Sequence, residues 1–166
     1  MKANWFAITV ILVGVIVIWS AWPTLHRRLD TQSPQPTSVS DGYGRGAVEF
    51  SDSRVNVTIP LTLPLQERGL GERTSLGADD GMLFIYTTPG YPIFWMKHMR
   101  FALDFVWLDH GQVVDITADV PAPADGQVTL PTYQPDVPAS AVLEVRAGYA
   151  ARHHISVGDA AKIDRY

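Results

Sequence analysis

Cysteine is absent from this 166-residue chain. That absence excludes disulfides, zinc–thiolate centres and thiol nucleophiles together. It leaves the compartment open, because an exported protein need not contain disulfides. Positive charge is sparse as well: from Ala47 onward 9 basic residues stand against 15 acidic ones, a net of −6. Nucleic-acid and anionic-lipid surfaces are built from clustered Lys and Arg, so no nucleic-acid partner is expected for this region. The G-x-S-x-G, Walker A and G-x-G-x-x-G patterns are missing, which removes the usual warrant for a serine hydrolase or a nucleotide-binding protein. H-x-H and H-E-x-x-H are missing too; His153 and His154 are adjacent and diverge, and His98 stands alone. Neither a metal site nor a cofactor is expected from these residues.

What is present begins with a long apolar run. Trp5–Trp22 reads WFAITVILVGVIVIWSAW, without a charge. Eighteen helical residues span about 27 Å, close to the roughly 30 Å of bilayer hydrocarbon. Trp5, Trp19 and Trp22 fall where interfacial aromatics belong. A cleaved signal peptide competes with an anchor, but its apolar core would be unusually long, and Trp19-Ser20-Ala21 lacks a small residue where cleavage needs one. Residues 1–25 therefore read as a single-pass signal anchor in the cytoplasmic (inner) membrane. Residues 26–46, rich in Ser, Thr, Pro and Gly, have too little apolar content for a core and read as a flexible linker. Arg27 and Arg28 against Lys2 slightly favour a cytoplasmic C-terminus. A tether that holds a domain off the bilayer suits the periplasmic side, and that orientation is the expectation.

Residues 47–166 carry mostly strand signals. AVEF and VNVTIPLTL alternate, with Val55, Val57, Ile59, Leu61 and Leu63 on one face, and Pro60 points to an edge strand or a bulge. PLQERGLG is a short helical turn ended by Gly69 and Gly71. GMLFIY, FWMK, LDFVWL, VVDITA and AVLEV are further strand candidates, with Asp109-His110-Gly111 a tight hairpin between two of them. The segment VPAPADGQVTLPTYQPDVPAS is too rich in Pro for regular pairing. AGYAARHH reads as a short helix, and Gly158-Asp159 turns the chain into AAKI. The fold class is mainly β: a compact antiparallel, barrel-like domain with one or two short helices.

The run FWMKHMRFALDF, residues 94–105, sets Lys97, His98, Arg100 and Asp104 among apolar side chains. His98 and Arg100 are expected near a turn, in water. In LDFVWL, Asp104 shares a face with Val106 and Leu108, opposite Leu103, Phe105 and Trp107, so its carboxylate is expected to be buried. Buried, it requires a cation or several N–H donors. Lys97, Arg68 and Arg73 are the candidate suppliers. Asp104 is then either a structural ion pair or a ligand-facing or acid–base carboxylate. Lys97 follows Phe94-Trp95-Met96 and either snorkels, pairs with an acid or serves as a base. Arg68 and Arg73 flank the Gly69-Leu70-Gly71 break, where forked donors suit a carboxylate or phosphate. Glu144 lies opposite Leu143 and Val145 and would make a two-carboxylate site with Asp104 only at about 5 to 9.5 Å. Trp95, Trp107, Tyr133 and Tyr149 are either core or a platform for sugar rings.

The ordered series ERGLGERTSL (67–76), GMLF (81–84), FWMK (94–97), LD (103–104), VLEV (142–145), AGYAARH (147–153) and VGD (157–159) resembles domain-of-unknown-function family 192. The resemblance runs from about Ala47 to the C-terminus. It implies a small, mainly antiparallel β-barrel-like fold, often behind a bacterial signal or anchor, and no agreed activity. The chain departs from the pattern at His98-Met99, where the family usually shows Asn-Thr, and at His154, where a Gly is usual. A left-handed residue ending a helix would explain that Gly, and His tolerates the geometry better than most.

The expectation for function is a membrane-tethered, extracytoplasmic domain binding a small polar or saccharide-like envelope ligand. Its pocket would be built from Arg68, Arg73, Trp95, Lys97, Asp104, Tyr133 and Glu144. Two other classes remain open: a metal-free hydrolase or lyase using Asp104 or Glu144 with Lys97, and a purely structural envelope assembly protein.

Overall fold

The computed structural model describes residues 41–166. The anchor expected over 1–25, and the linker up to residue 40, lie outside the described residues. Among those described, no helix is long and apolar enough to cross a membrane.

The described residues form nine strands and two short helices in the order β1 (Tyr43–Glu49), β2 (Arg54–Pro60), α1 (Leu63–Arg68), β3 (Asp80–Gly90), β4 (Phe94–Trp95), β5 (Leu103–Asp109), β6 (Gln112–Val120), β7 (Thr132–Tyr133), β8 (Ala139–Arg146), α2 (Tyr149–Arg152) and β9 (Lys162–Arg165). Seven strands make one sheet in the order β6-β5-β8-β3-β2-β1-β9, and β4 pairs with β7 in a separate ribbon. The sheet curls into a half-barrel. At its open side, residues ahead of β9 bond to the start of β6: Val113 N donates to Asp159 O at 2.8 Å, and Ala161 N to Gly111 O at 2.8 Å. The fold is thus mainly β, as the alternation predicts. The first strand begins at Tyr43, four residues ahead of the boundary placed at Ala47.

One pairing departs from the antiparallel expectation. β2 and β3 run parallel, Asn56 against Asp80 and Thr58 against Met82. Parallel neighbours need a crossover, and the intervening chain, α1 and the loop after it, supplies one. This also corrects two readings. β2 is an interior strand, and Pro60 sits at its last residue, where the missing N–H does least harm. Because the strand ends there, Leu61 and Leu63 leave the alternating face and are 60% and 73% exposed. The Pro-rich segment also pairs briefly, through β7, with Phe94 opposite Tyr133. At the β5–β6 hairpin, Asp109 faces Gln112, and His110 and Gly111 both have positive φ, 48° and 78°. These are the angles of the two-residue turn that matches strand twist.

The central strands are buried on both faces, and the core is correspondingly double. Val106, Leu108, Leu143, Val145 and Tyr149 belong to one cluster; Leu103, Phe105, Trp107, Met82 and Phe84 belong to the other. The split follows the period-two alternation of β5. Phe94 docks the ribbon on the second cluster, its ring 5.0 Å from Phe84 and 5.6 Å from both Phe105 and Trp107.

Asp104 is fully buried in the first cluster's face, as expected, but what surrounds it is a correction. None of Lys97, Arg68 and Arg73 forms a salt bridge with it. Its carboxylate accepts three backbone N–H groups: Asp119 at 2.9 Å, Gly148 at 3.0 Å and Ala150 at 3.0 Å. The β5–β6 register shifts between Leu103 and Phe105, which face Val120 and Thr117, so Ala118 and Asp119 bulge opposite Asp104. A bulge leaves an N–H outside the ladder, and the start of a helix leaves several more. Asp104 answers both, tying β5 to the bulge of β6 and to the first turn of α2.

Removing this carboxylate leaves the buried Ala150 N–H and the part-buried N–H groups of Asp119 and Gly148 without their acceptor. Asp104→Ala is expected to cost about 2–4 kcal/mol in urea unfolding, since an orphaned buried group costs about 1–3 kcal/mol and the two part-buried ones, which water can reach, cost less. A loss below about 1 kcal/mol would contradict this role.

Candidate functional site

The crossover from β2 to β3 does more than connect strands. α1 ends at Gly69, whose φ of 53° and ψ of −134° turn the chain back over the sheet. The next turn crosses the loop after β4 at Gly71, where a Cβ would lie 2.8 Å from Arg68 O and 3.0 Å from Lys97 O. Only glycine lets the two backbones approach this closely. Glu72 N donates to His98 O at 3.1 Å, which fastens the crossing. Between α1, β3, the β4 ribbon and β8 lies a half-open cavity of about 240 Å³.

Four of the seven residues expected to form a pocket line this cavity: Arg68, Trp95, Lys97 and Glu144. The other three do not. Arg73 lies near enough for its charge to act on Glu144 but points its guanidinium at Thr58 Oγ1, 3.4 Å away. Tyr133 packs edge-on against Phe105 with centroids 5.8 Å apart. Asp104 lies on the other side of the sheet. Phe105 pairs with Glu144 and Asp104 with Val145, so the two acids emerge on opposite faces. The two-carboxylate site is therefore excluded by register. Of the aromatic platform, Trp107 and Tyr149 are fully buried, whereas Trp95 is 50% exposed at the cavity mouth.

Phe84, Tyr86, Phe94 and Met99 complete the walls and were not among the expected residues. A signal for two of them was present. In GMLFIY, Met82, Phe84 and Tyr86 share a face by alternation, and Met82 pairs directly with Glu144. Position 98 has a left-handed backbone, φ 60°, with its side chain in water, and Met99 is buried against the cavity. Asn tolerates that backbone well, which accounts for the Asn usual at position 98 in the resembling family without a ligand contact. His154 is left-handed too, φ 53°, the geometry expected for the residue replacing a helix-ending Gly.

Glu144 dominates the chemistry of the cavity. It is 5% exposed, it has no salt bridge among the described residues, and its Oε2 has no hydrogen-bond partner. Burial pushes its carboxyl up to about 8 from an ordinary value near 4.5, and the Arg73 charge draws it only partly back. Tyr86 on the neighbouring strand is pushed up to about 12, by burial first and by the Glu144 charge second. The floor thus holds a carboxylic acid that keeps its proton at neutral pH, able to donate a hydrogen bond or to give up the proton when a cation arrives. The exposed charges of the lining are Arg68 and Lys97 against Glu67, a net positive balance. At the mouth the Lys97 ammonium sits 5.3 Å from the centre of the Trp95 ring. Lys97 is neither paired with an acid nor buried; a cation–π contact holds it.

The half-barrel sheet with one parallel crossover defines a small mainly-β domain, and comparison with known proteins places it. The chain belongs to the DUF192 family, described as "Uncharacterized ACR", whose model matches residues 47–163. A crystal structure from Sinorhizobium meliloti 1021, described as a candidate transcription regulator, is 22% identical with a TM-score of 0.63, over 73% of this chain and 93% of that one. A protein of unknown function from Novosphingobium aromaticivorans DSM 12444 is 28% identical with a TM-score of 0.61, over 72% of this chain and 84% of that one. No curated protein matches.

The buried acid makes stability pH-dependent. Its proton is held more tightly folded than unfolded, so its contribution is complete below about pH 4.5 and is lost as pH rises through about 8. Between those two values each pH step of one weakens the fold by about 1.36 kcal/mol. Wild type should therefore lose about 3–5 kcal/mol relative to Glu144→Gln between pH 5 and pH 9, read from urea unfolding at each pH. Parallel stability curves for the two proteins would contradict the assignment.

Proposed function

We propose that this protein is a membrane-tethered receptor for a small polar envelope ligand, saccharide-like compounds among them, bound in the cavity above Glu144. The observation that carries the reading is the unpartnered Glu144 carboxyl at the floor of an aromatic-walled cavity of about 240 Å³. A domain that served only as a scaffold gains nothing from burying an acid without a partner, because that burial costs stability. Concave sites with apolar walls and a few converging polar groups are where small molecules bind. The half-exposed Trp95 ring offers a stacking surface, and Arg68 and Lys97 orient anionic or hydroxylated groups at the mouth. The Trp5–Trp22 run and the linker after it support a tether that presents this mouth on the periplasmic side. A transcriptional role like the one described for the S. meliloti protein is not favoured, because residues 47–166 are acidic and supply no basic cluster.

The alternative reading, a metal-free hydrolase or lyase, now rests on Glu144 with Lys97 and without Asp104. What favours it is the raised affinity of Glu144 for its proton, which suits a general acid near neutral pH.

A thermal-shift screen of the whole chain against envelope sugars, amino acids and related metabolites tests the proposal. A ligand at a hundred times its dissociation constant should stabilise wild type by about 2.7 kcal/mol. Trp95→Ala should weaken that response at unchanged fold. A set of compounds that stabilises wild type and Trp95→Ala equally, or none that stabilises either, would count against the cavity and for a scaffold.

A further inference from the structure

The reading of the cavity as a ligand site leaves open which chemistry Glu144 answers, and the following inference rests on that reading. Oε2 of Glu144 has no hydrogen-bond partner, and no Lys, Arg or His among the described residues forms a salt bridge with the residue. The groups that share its cavity or its field are Tyr86 on β3, Glu67 and Arg68 on α1, Arg73 beyond it and Lys97 after β4. The basic ones do not neutralise it: Arg73 turns to Thr58, while Arg68 and Lys97 are exposed at the mouth. The floor is therefore an acid lacking a cation.

The walls suit a cation as well. Phe84, Phe94 and Trp95 surround the space, and aromatic faces attract ammonium groups. One such contact already exists at the mouth, where the Lys97 ammonium lies over Trp95 at 5.3 Å. Arg68 and Lys97 outnumber Glu67 among the exposed charged residues of the lining, which disfavours a second cationic group on the same ligand. We propose that the cavity takes a small organic monoammonium ion, its N–H groups donating to the Glu144 carboxylate, its apolar body between the aromatic walls, and its far end neutral or anionic beside Arg68 and Lys97.

The exchange balances. The ligand enters as R–NH3+, Glu144 passes its own proton to solvent, and the site holds an ammonium–carboxylate pair in place of a neutral acid. Binding by this route releases a proton and tightens as pH rises. A neutral or anionic acceptor would instead use the Glu144 O–H and weaken as pH rises.

Calorimetry of the whole chain with n-butylammonium, 4-aminobutanoate and butanoate, at pH 6.5 and 8.5, separates the two. From a Glu144 value of about 8, both amines should bind about 20-fold more tightly at pH 8.5 than at 6.5. At pH 6.5 they should release close to one proton, read from two buffers of different ionisation enthalpy. Glu144→Gln should abolish the release and the pH dependence. Should that variant not fold, the wild-type proton count decides alone. Binding of butanoate without the amines, weakening toward pH 8.5, would overturn the ammonium inference and leave the ligand site standing. Absence of amine binding also overturns it; if the metabolite screen is equally silent, the ligand site falls with it.

Discussion

A carboxyl group among apolar side chains must be answered by N–H donors, by a cation or by a proton. The two buried acids of this domain receive different answers, and its organisation follows from the difference. Asp104 receives three backbone N–H groups and works as a structural clasp. Glu144, one register position away on the opposite face, receives none and keeps its proton. Two acids on adjacent strands thus divide into one that holds the fold and one that remains available for chemistry. The interaction missing at Glu144 is what turns a gap between structural elements into a candidate site.

The crossover between β2 and β3 creates that gap. An antiparallel hairpin there would have left the sheet face beside Glu144 open to water. A parallel pair requires a long return path, and the chain uses it to lay α1 and the Gly69–Gly71 turn over the face. The β4 ribbon, pinned by Phe94 to Phe84, Phe105 and Trp107, closes the other side. Arg68 and Lys97 thereby reach one mouth from distant parts of the sequence. Packed aromatic walls and the close backbone crossing at Gly71 suit a preformed site.

Much of this was legible in the residues and some was not, for physical reasons. Strand alternation is a local property, so the two faces of β5 and the burial of Asp104 could be read from LDFVWL alone. The partners of Asp104 could not, because backbone N–H groups carry no sequence signature and become available only where a bulge and a helix start meet. Arginines and a lysine were the visible candidates, and they proved to be elsewhere. The parallel β2–β3 pair was equally hidden: alternation in VNVTIP looks the same beside either kind of neighbour, and Leu61 and Leu63 continue the pattern past the point where Pro60 ends the strand. Arg68, Trp95, Lys97 and Glu144 were identified as residue types suited to a pocket, and they do converge. Phe84 and Tyr86 carry a weaker signal, the alternation of GMLFIY that sets them on one face. The separation of Asp104 from Glu144 needed the β5–β8 register, which is a tertiary fact.

The central claim is that Glu144 remains protonated in the folded domain at neutral pH because burial outweighs the one charge that reaches it, that of Arg73, and no donor bonds its Oε2. Carbon-13 NMR titration of the side-chain carboxyls, with the Glu144 signal assigned by its loss in Glu144→Gln, measures this without reference to any ligand. The expected midpoint for that carbon is near 8. A midpoint in the ordinary glutamate range, near 4.5, would show a solvated or paired carboxylate and contradict the claim.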